Sequence, residues 1–242
     1  MKLEYLVTGT GRCGTVFMAR LLTSVGVLCG HESVFNWSGL HHALMRLRGE
    51  EPLDLSHASK VHFQDGQNVK AEIWLPNVQD IIAEASYMAA PFLCRDFLEY
   101  TKVIHVVRNP CRVVNSFVNY IQYFVSDHPS TSYEQLIYRT LPMLKTKMPA
   151  YDRAALYWIE WNKLIEARKA NLFFRVEEDP KAVIDFVKGV GEPFNDPSIN
   201  SYRRPGTDRF LPDKIESKEI LERFEKLAKE YGYDLSLEYL ML

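Results

Sequence analysis

The chain has 242 residues, of which 47% are hydrophobic and 25% charged, as expected of a globular protein large enough for one sizeable α/β domain. Its formal net charge of -2 provides no basic field that would attract nucleic acid, so any anion site must be built locally. The four cysteines form no CxxC pair and no zinc-spaced cluster, and no apolar run is long enough to span a bilayer. No signal peptide is recognisable, so we expect a cytoplasmic protein with free thiols.

Strand-like and helix-like segments alternate along the chain. Short apolar runs predict strands at residues 5–9, 26–30, 80–86, 102–107 and 171–178. Amphipathic periodicity and capping residues predict helices at 14–25, 109–124, 154–170, 179–191 and 215–232. This alternation predicts a three-layer α/β fold, with a parallel sheet flanked by helices, in a single domain spanning residues 1–242.

Residues 33–79 have no clear period, and we expect them to form an insertion that shapes a pocket for a substrate. In parallel α/β sheets, ligands bind beyond the carboxyl ends of the strands. The turns after residues 5–9 and 102–107 both lie at that edge. They belong to one site if their strands are close neighbours.

The first of these turns, "GTGRCGT" at residues 9–15, is rich in glycine and leads into a helix. Backbone N–H groups and the positive end of the helix dipole favour an anion at such a turn. Gly9 and Gly14 have the spacing of the P-loop pattern GxxxxGK[ST], but Thr15 and Val16 stand where the lysine and the magnesium-binding hydroxyl belong. The loop therefore favours a metal-free phosphate ester over a nucleoside triphosphate with its metal.

The second turn, "RNPCRVVNS", places Arg108 at the end of a strand and Ser116 eight residues later. A guanidinium and a hydroxyl together can bind a phosphate group. For Ser116 to share an edge with Arg108, the helix beginning near Pro110 must lean over that edge.

With these two motifs in this order, the sequence resembles the sulfotransferases that use 3′-phosphoadenosine 5′-phosphosulfate (PAPS). "GTGRCGT" resembles their 5′-phosphosulfate loop, and "RNPCRVVNS" resembles their 3′-phosphate motif. "WIEWNKLIE" and "FFRVEEDPKAVIDFVKGVGEPF" resemble later segments of the family, so the likeness covers most of residues 3–195. The resemblance implies a P-loop NTPase-like sulfotransferase fold and PAPS as a sulfuryl donor that needs no metal. The product would be 3′,5′-adenosine bisphosphate.

The resemblance also assigns donor-binding positions. Those around the 5′-phosphosulfate are Gly11, Arg12, Cys13, Gly14, Thr15 and Val16, with Phe17 near the adenine. Arg108 and Ser116 match the 3′-phosphate ligands, and Arg203 and Arg204 lie where the family has a late basic loop. Cys13 and Val16 each lack a hydroxyl that family members commonly have, so we expect weaker donor binding. Pro205 also departs from the basic-loop pattern.

Two catalytic roles follow. A fixed cation should stabilise the charge that grows on the bridging oxygen, and Arg12 matches that position. In the tyrosylprotein branch of the family, a Cys-Gly-Glu-Glu-Thr stretch carries the base that accepts the acceptor's proton. Glu32 matches the second glutamate of that stretch, with one residue fewer between it and Arg12, and its neighbour His31 is the alternative base. Because adjacent residues on a strand point to opposite faces, only one of the two is expected to face the site.

Other interpretations remain open on the sequence. A P-loop nucleotide kinase and a nucleotide-binding module without catalysis are the alternatives to a sulfotransferase. The acceptor hydroxyl could belong to a glycan, a lipid or a small molecule, as the glutamate base also occurs in carbohydrate sulfotransferases. Glu84 and Ser86 could touch the acceptor, whereas His105 is expected in the core. No feature indicates an oligomeric state.

Overall fold

A computed structural model describes residues 2–54, 81–191, 193 and 212–236 of the chain. Its centre is a sheet of five parallel strands in the order β2-β3-β1-β4-β5. The strands are β1 (Tyr5–Thr8), β2 (Cys29–His31), β3 (Ala83–Ala85), β4 (Lys102–Val107) and β5 (Leu172–Arg175). The predicted α/β class with a parallel sheet is confirmed.

Seven α-helices accompany the sheet in the described residues. They are α1 (Thr15–Ser24), α2 (Leu40–Arg48), α3 (Pro110–Asn115), α4 (Ser132–Thr140), α5 (Ala150–Glu166), α6 (Lys181–Val187) and α7 (Lys218–Glu230). Short 3-10 turns occupy Tyr87–Phe92, Asp96–Leu98 and Pro212–Lys214. A π-helical turn, Ser116–Tyr120, follows α3 directly.

The core lies in two layers, one on each face of the sheet. Along β1, Tyr5 and Val7 join the cluster that includes α1 and α6, whereas Leu6 joins the cluster that includes α3, α5 and α7. This alternation follows from the two-residue period of a strand, and both faces are apolar because helices cover both. Because both faces of the sheet are covered, a ligand can approach the strands at their ends.

The central position of β1 brings the two predicted phosphate motifs together. β1 pairs with β3 on one side and with β4 on the other, and Thr8 lies opposite His105 in the β1–β4 register. The loops that follow β1 and β4 are therefore neighbours at the carboxyl edge. Since β1 and β4 are neighbours, the two turns can belong to one site.

Several predicted boundaries were wrong. The second strand begins at Cys29 rather than Gly26, because α1 ends in a turn in which Gly26 has φ 85°. The helix predicted to run to residue 124 stops being α-helical at Asn115. The helices α2 and α4 were not predicted, and α2 lies within the expected insertion at 33–79, of which only residues 33–54 are described.

Within the described ranges, no helix combines the length and the apolar character that crossing a membrane requires.

Gly9, directly after β1, permits the close approach of the first loop to β4. A Cβ atom at this position would collide with the carbonyl oxygen of Val106 and lie 2.6 Å from the sulfur of Cys13. Since neither the β4 backbone nor the buried sulfur can move easily, we expect Gly9→Ala to lower the free energy of unfolding by about 3 kcal/mol. Urea denaturation would measure this loss.

Gly49→Ala is the matched control, because a Cβ at Gly49 meets no atom within 4 Å and only its φ of 76° is unfavourable. We expect this variant to lose about 1 kcal/mol. Equal losses in the two variants would contradict the tight packing of the loop against β4.

Candidate functional site

The first loop ends in an uncapped helix start. Gly14, the N-cap of α1, has φ 107°, and no side chain caps the helix there. The first turn of a helix leaves backbone N–H groups without intrahelical partners, and these favour an anion. The first turn of α1 contains no acidic residue that would compete for this place. The loop therefore retains the anion-binding geometry that its sequence predicted.

Arg12 connects the first loop to the second. Its Nε donates a hydrogen bond to Oγ of Ser116 at 2.9 Å. Nη1 of Arg108 donates to the main-chain oxygen of Arg12 at 3.2 Å. Three residues predicted from two motifs about a hundred positions apart thus meet at one edge of the sheet. Burial lowers the pKa of Arg108, the charge of nearby Glu177 opposes this shift, and the group remains a cation.

The π-helical turn positions Ser116. The backbone N–H of Ile121 donates to the oxygen of Ser116 at 2.9 Å, which widens the helix by one residue at this point. The turn also carries Tyr120, whose ring centre lies 5.7 Å from the guanidinium carbon of Arg12. The predicted continuous helix was wrong because positive φ angles at Gln122 and Phe124 end helical geometry soon after this turn.

The other loop residues that the resemblance assigns to donor binding differ in burial and in hydrogen-bond partners. The N–H of Gly11 donates to the hydroxyl of Tyr157 at 2.9 Å. Val16 is partly exposed, whereas Phe17 is buried in the core layer that contains α1. Thr15 Oγ1 lies 3.1 Å from Nε2 of His31.

Cys13 is fully buried, and burial raises the pKa of its thiol to about 12. The thiol therefore stays protonated and is unsuited to act as a nucleophile. The two remaining donor candidates, Arg203 and Arg204, lie outside the described residues.

His31 and Glu32 do not point to opposite faces, contrary to the expectation from strand geometry. β2 ends at His31, and Glu32 has φ 52°, in the left-handed region. This change of backbone direction leaves Nε2 of His31 3.9 Å from Oε1 of Glu32. His31 contacts the start of α1 through Thr15, so both candidate bases lie beside the first loop.

Glu32 is enclosed, with only 7% of its surface exposed. The pKa of this carboxyl is raised to about 8, mainly by burial, and the charge of Glu84 acts in the same direction. A hydrogen bond from the Tyr133 hydroxyl and the charge of Arg12 lower it. A carboxyl with a raised pKa thus lies within electrostatic reach of Arg12.

Glu84 and Ser86 support the turn that carries Glu32. Both are fully buried. Oε1 of Glu84 accepts hydrogen bonds from the N–H groups of Val34 at 2.9 Å and Phe35 at 3.3 Å, and Ser86 Oγ donates to the oxygen of Phe35 at 2.6 Å. The expectation that they touch an acceptor was therefore wrong, because their polar atoms face the buried backbone.

The expectation for His105 was correct. It is buried, and its Nε2 lies 2.9 Å from Oδ1 of Asn162. Burial lowers its pKa to about 4, so the ring is neutral and belongs to the core.

A cleft of about 550 Å³ lies between α2 and α4. Eleven residues line it: Trp37, Ser38, Gly39, His42, Arg46, Glu51, Asp54, Ser132, Gln135, Leu136 and Arg139. Seven of these, from Trp37 to Asp54, belong to the segment 33–79 that was expected to shape a substrate pocket. The position of the cleft is compatible with that expectation.

Sequence reasoning missed Tyr133. A capping box begins α4, in which Thr131 accepts from the N–H of Glu134 and the Glu134 side chain accepts from the N–H of Thr131. The signature T-S-Y-E could have revealed this helix start, with Tyr133 in its first turn. That the first turn faces Glu32 is a property of the tertiary structure.

Among the described residues, no group of three His, Cys, Asp or Glu side chains is arranged to hold a metal ion.

No protein-family model and no curated protein matches the chain. Among solved structures, it is similar to the sulfotransferase domain from the Synechococcus PCC 7002 olefin synthase, at 14% sequence identity. The match covers 97% of this chain and 95% of that chain, with a TM-score of 0.46.

The buried carboxyls Glu32 and Glu84 should make stability depend on pH. Burial raises both pKa values to about 8, so the folded state holds more protons than the unfolded state between about pH 4.5 and pH 8. The free energy of unfolding should therefore decrease as pH rises through this interval. Glu84→Gln keeps the acceptor for Val34 and Phe35 but cannot ionise, so we expect a clearly shallower slope.

Urea denaturation at a series of pH values measures this slope. Glu219→Gln, which removes an exposed carboxylate on α7, is the control and should leave the slope unchanged. An equally steep slope in Glu84→Gln and the unaltered protein would show that Glu84 is ionised in the fold.

Proposed function

We propose that this protein is a sulfotransferase that moves a sulfuryl group from PAPS to an acceptor hydroxyl. The observation that carries the proposal is the convergence of Arg12, Arg108 and Ser116 at the uncapped start of α1. The resemblance of the two loops to the 5′-phosphosulfate and 3′-phosphate motifs supports the same conclusion.

The proposed donor site has two parts. The backbone of residues 12–16 and the start of α1 would hold the 5′-phosphosulfate, since the N–H of Gly11 already donates to Tyr157. Arg108 and Ser116 would hold the 3′-phosphate, with Arg203 and Arg204 as further candidates. Thr15 and Val16 provide neither the lysine nor the magnesium-binding hydroxyl of an ATP-binding loop, so PAPS suits the loop better than Mg·ATP.

Transfer breaks the bond between sulfur and the bridging phosphate oxygen and forms a bond between sulfur and the acceptor oxygen. The bridging oxygen leaves with the electron pair of the broken bond, and its growing negative charge would be stabilised by Arg12. The acceptor hydroxyl gives its proton to the carboxylate of Glu32. Arg12 serves as a fixed cation rather than an acid because its guanidinium stays protonated.

The environment of Glu32 suits this role. Its raised pKa makes it a stronger base than an exposed glutamate while leaving about a tenth of it ionised at pH 7. Tyr133 holds the carboxyl by a hydrogen bond. His31, 3.9 Å away, is the alternative base.

Donor binding is tested by thermal shift without added metal. We expect 3′,5′-adenosine bisphosphate to stabilise the protein, by about 2.7 kcal/mol at a hundredfold excess over its Kd, and ATP to have little effect. Stabilisation by Mg·ATP, with none by 3′,5′-adenosine bisphosphate, would instead indicate a nucleotide kinase.

The 3′-phosphate contact is tested by Arg108→Ala. We expect the variant to lose the preference for 3′,5′-adenosine bisphosphate over adenosine 5′-phosphate, since the cation facing the 3′-phosphate is gone. Arg95→Ala removes an exposed arginine that belongs to neither phosphate motif and should keep the preference. Unchanged discrimination in Arg108→Ala would mean that the 3′-phosphate binds elsewhere.

The base is tested by Glu32→Gln. We expect kcat to fall by about 10²–10⁴-fold with donor affinity nearly unchanged, because only proton transfer is lost. In the unaltered enzyme, kcat/KM should rise with pH up to about 8, as the carboxyl loses its proton, and this limb should disappear in the variant. Rates with labelled donor across pH measure both effects.

Glu99→Gln, an exposed carboxylate before β4, is the control and should keep full turnover. If Glu32→Gln remains active and His31→Gln does not, the base is His31.

A further inference from the structure

The cleft between α2 and α4 has the chemistry of a sugar-binding site. Resting on the proposed function, we propose that the acceptor hydroxyl belongs to a neutral carbohydrate whose ring stacks on Trp37 in this cleft. Three features carry this inference: an exposed indole, a wall of interlinked polar groups, and a connection to Glu32.

Trp37 is half exposed at the cleft, although a tryptophan normally buries most of its large apolar surface. The faces of a pyranose ring carry C–H groups that pack on an aromatic plane, while its hydroxyls point sideways toward polar partners. An open indole beside polar side chains matches this amphipathic shape.

The polar wall is held in place by its own hydrogen bonds. Arg46, itself buried, donates to Ser38 Oγ at 3.1 Å and to Glu51 Oε1 at 2.9 Å. The other oxygen of Glu51 lies 2.7 Å from Nδ1 of His42. Side chains fixed in this way lose little conformational freedom when a ligand binds, which favours recognition of hydroxyl groups.

The charges and composition of the cleft select among acceptor classes. Among the described residues that line it, Arg46 and Arg139 are balanced by Glu51 and Asp54. Such a lining offers no net attraction to a strongly charged acceptor. Leu136 and Trp37 are its large apolar members, too few to enclose an acyl chain. A neutral, hydroxyl-rich ligand fits best.

Two residues that line the cleft are linked to the surroundings of the proposed base. The N–H of Asp54, a lining residue, donates at 3.1 Å to the oxygen of Ser33, the neighbour of Glu32. Ser132 lines the cleft, and the next residue, Tyr133, is hydrogen-bonded to Glu32. A sugar stacked on Trp37 can thus direct a hydroxyl toward Glu32 from the side of α4.

Saturation-transfer NMR with cellobiose, lactose and N,N′-diacetylchitobiose tests this inference, each with and without 3′,5′-adenosine bisphosphate. We expect at least one sugar to bind, and Trp37→Ala to weaken its binding by about tenfold or more. Trp37→Phe should retain part of the affinity because an aromatic face remains. Tyr100→Ala is the control, because it removes an aromatic ring that lies before β4 and is more exposed than Trp37. We expect this variant to bind the sugar as tightly as the unaltered protein does.

Two results would overturn the inference: no binding of any of the sugars to the unaltered protein, or binding that is equally strong in Trp37→Ala. Transfer of labelled sulfate to p-nitrophenol or 1-octanol, with none to the sugars, would also overturn it while leaving the sulfotransferase proposal intact. Conversely, Trp37-dependent sugar binding in a protein that ignores 3′,5′-adenosine bisphosphate would support the sugar site and contradict the proposed function.

Discussion

The hydrogen bond from Arg12 to Ser116, together with the bond from Arg108 to the main-chain oxygen of Arg12, joins the loops that follow β1 and β4. It is possible because β1 and β4 are adjacent parallel strands whose carboxyl ends lie side by side. Both loop cations are thereby held at the start of α1. Two arginines this close repel each other, and a bound anion between them would relieve that repulsion.

Burial of carboxyl groups is the second constraint on this edge. Glu84 is fully enclosed and uses its oxygen to hold the backbone of Val34 and Phe35, which fixes the turn after β2. Glu32, carried by that turn, has its pKa raised first by burial and then by the charge of Glu84. The residue that orients the turn thus also adjusts the basicity of the group the turn presents.

Both residues proposed for chemistry have a strained backbone. Arg12 and Glu32 have φ angles of 69° and 52°, which cost a residue other than glycine on the order of 1 kcal/mol. At Glu32, this conformation ends β2 and brings the side chain beside His31. The N–H of Glu32 donates to the oxygen of Ala85 at 3.2 Å, and Arg12 donates to Ser116, so hydrogen bonds hold both residues at this edge of the sheet.

The sequence by itself determined the parallel α/β class, the glycine-rich loop before α1 and the place of Arg108 at a strand end, because period, glycine spacing and strand ends are local properties of the chain. That Ser116 meets Arg12 was decided by the tertiary structure. Only the tertiary structure decided that Glu32 and His31 lie together, that Glu84 faces inward, and that Tyr133 reaches Glu32. These features depend on a left-handed residue after β2 and on the docking of α4, which no local pattern encodes. Distant segments become neighbours through the packing of the sheet and its helices, so the surroundings of the base could be known only from the folded chain.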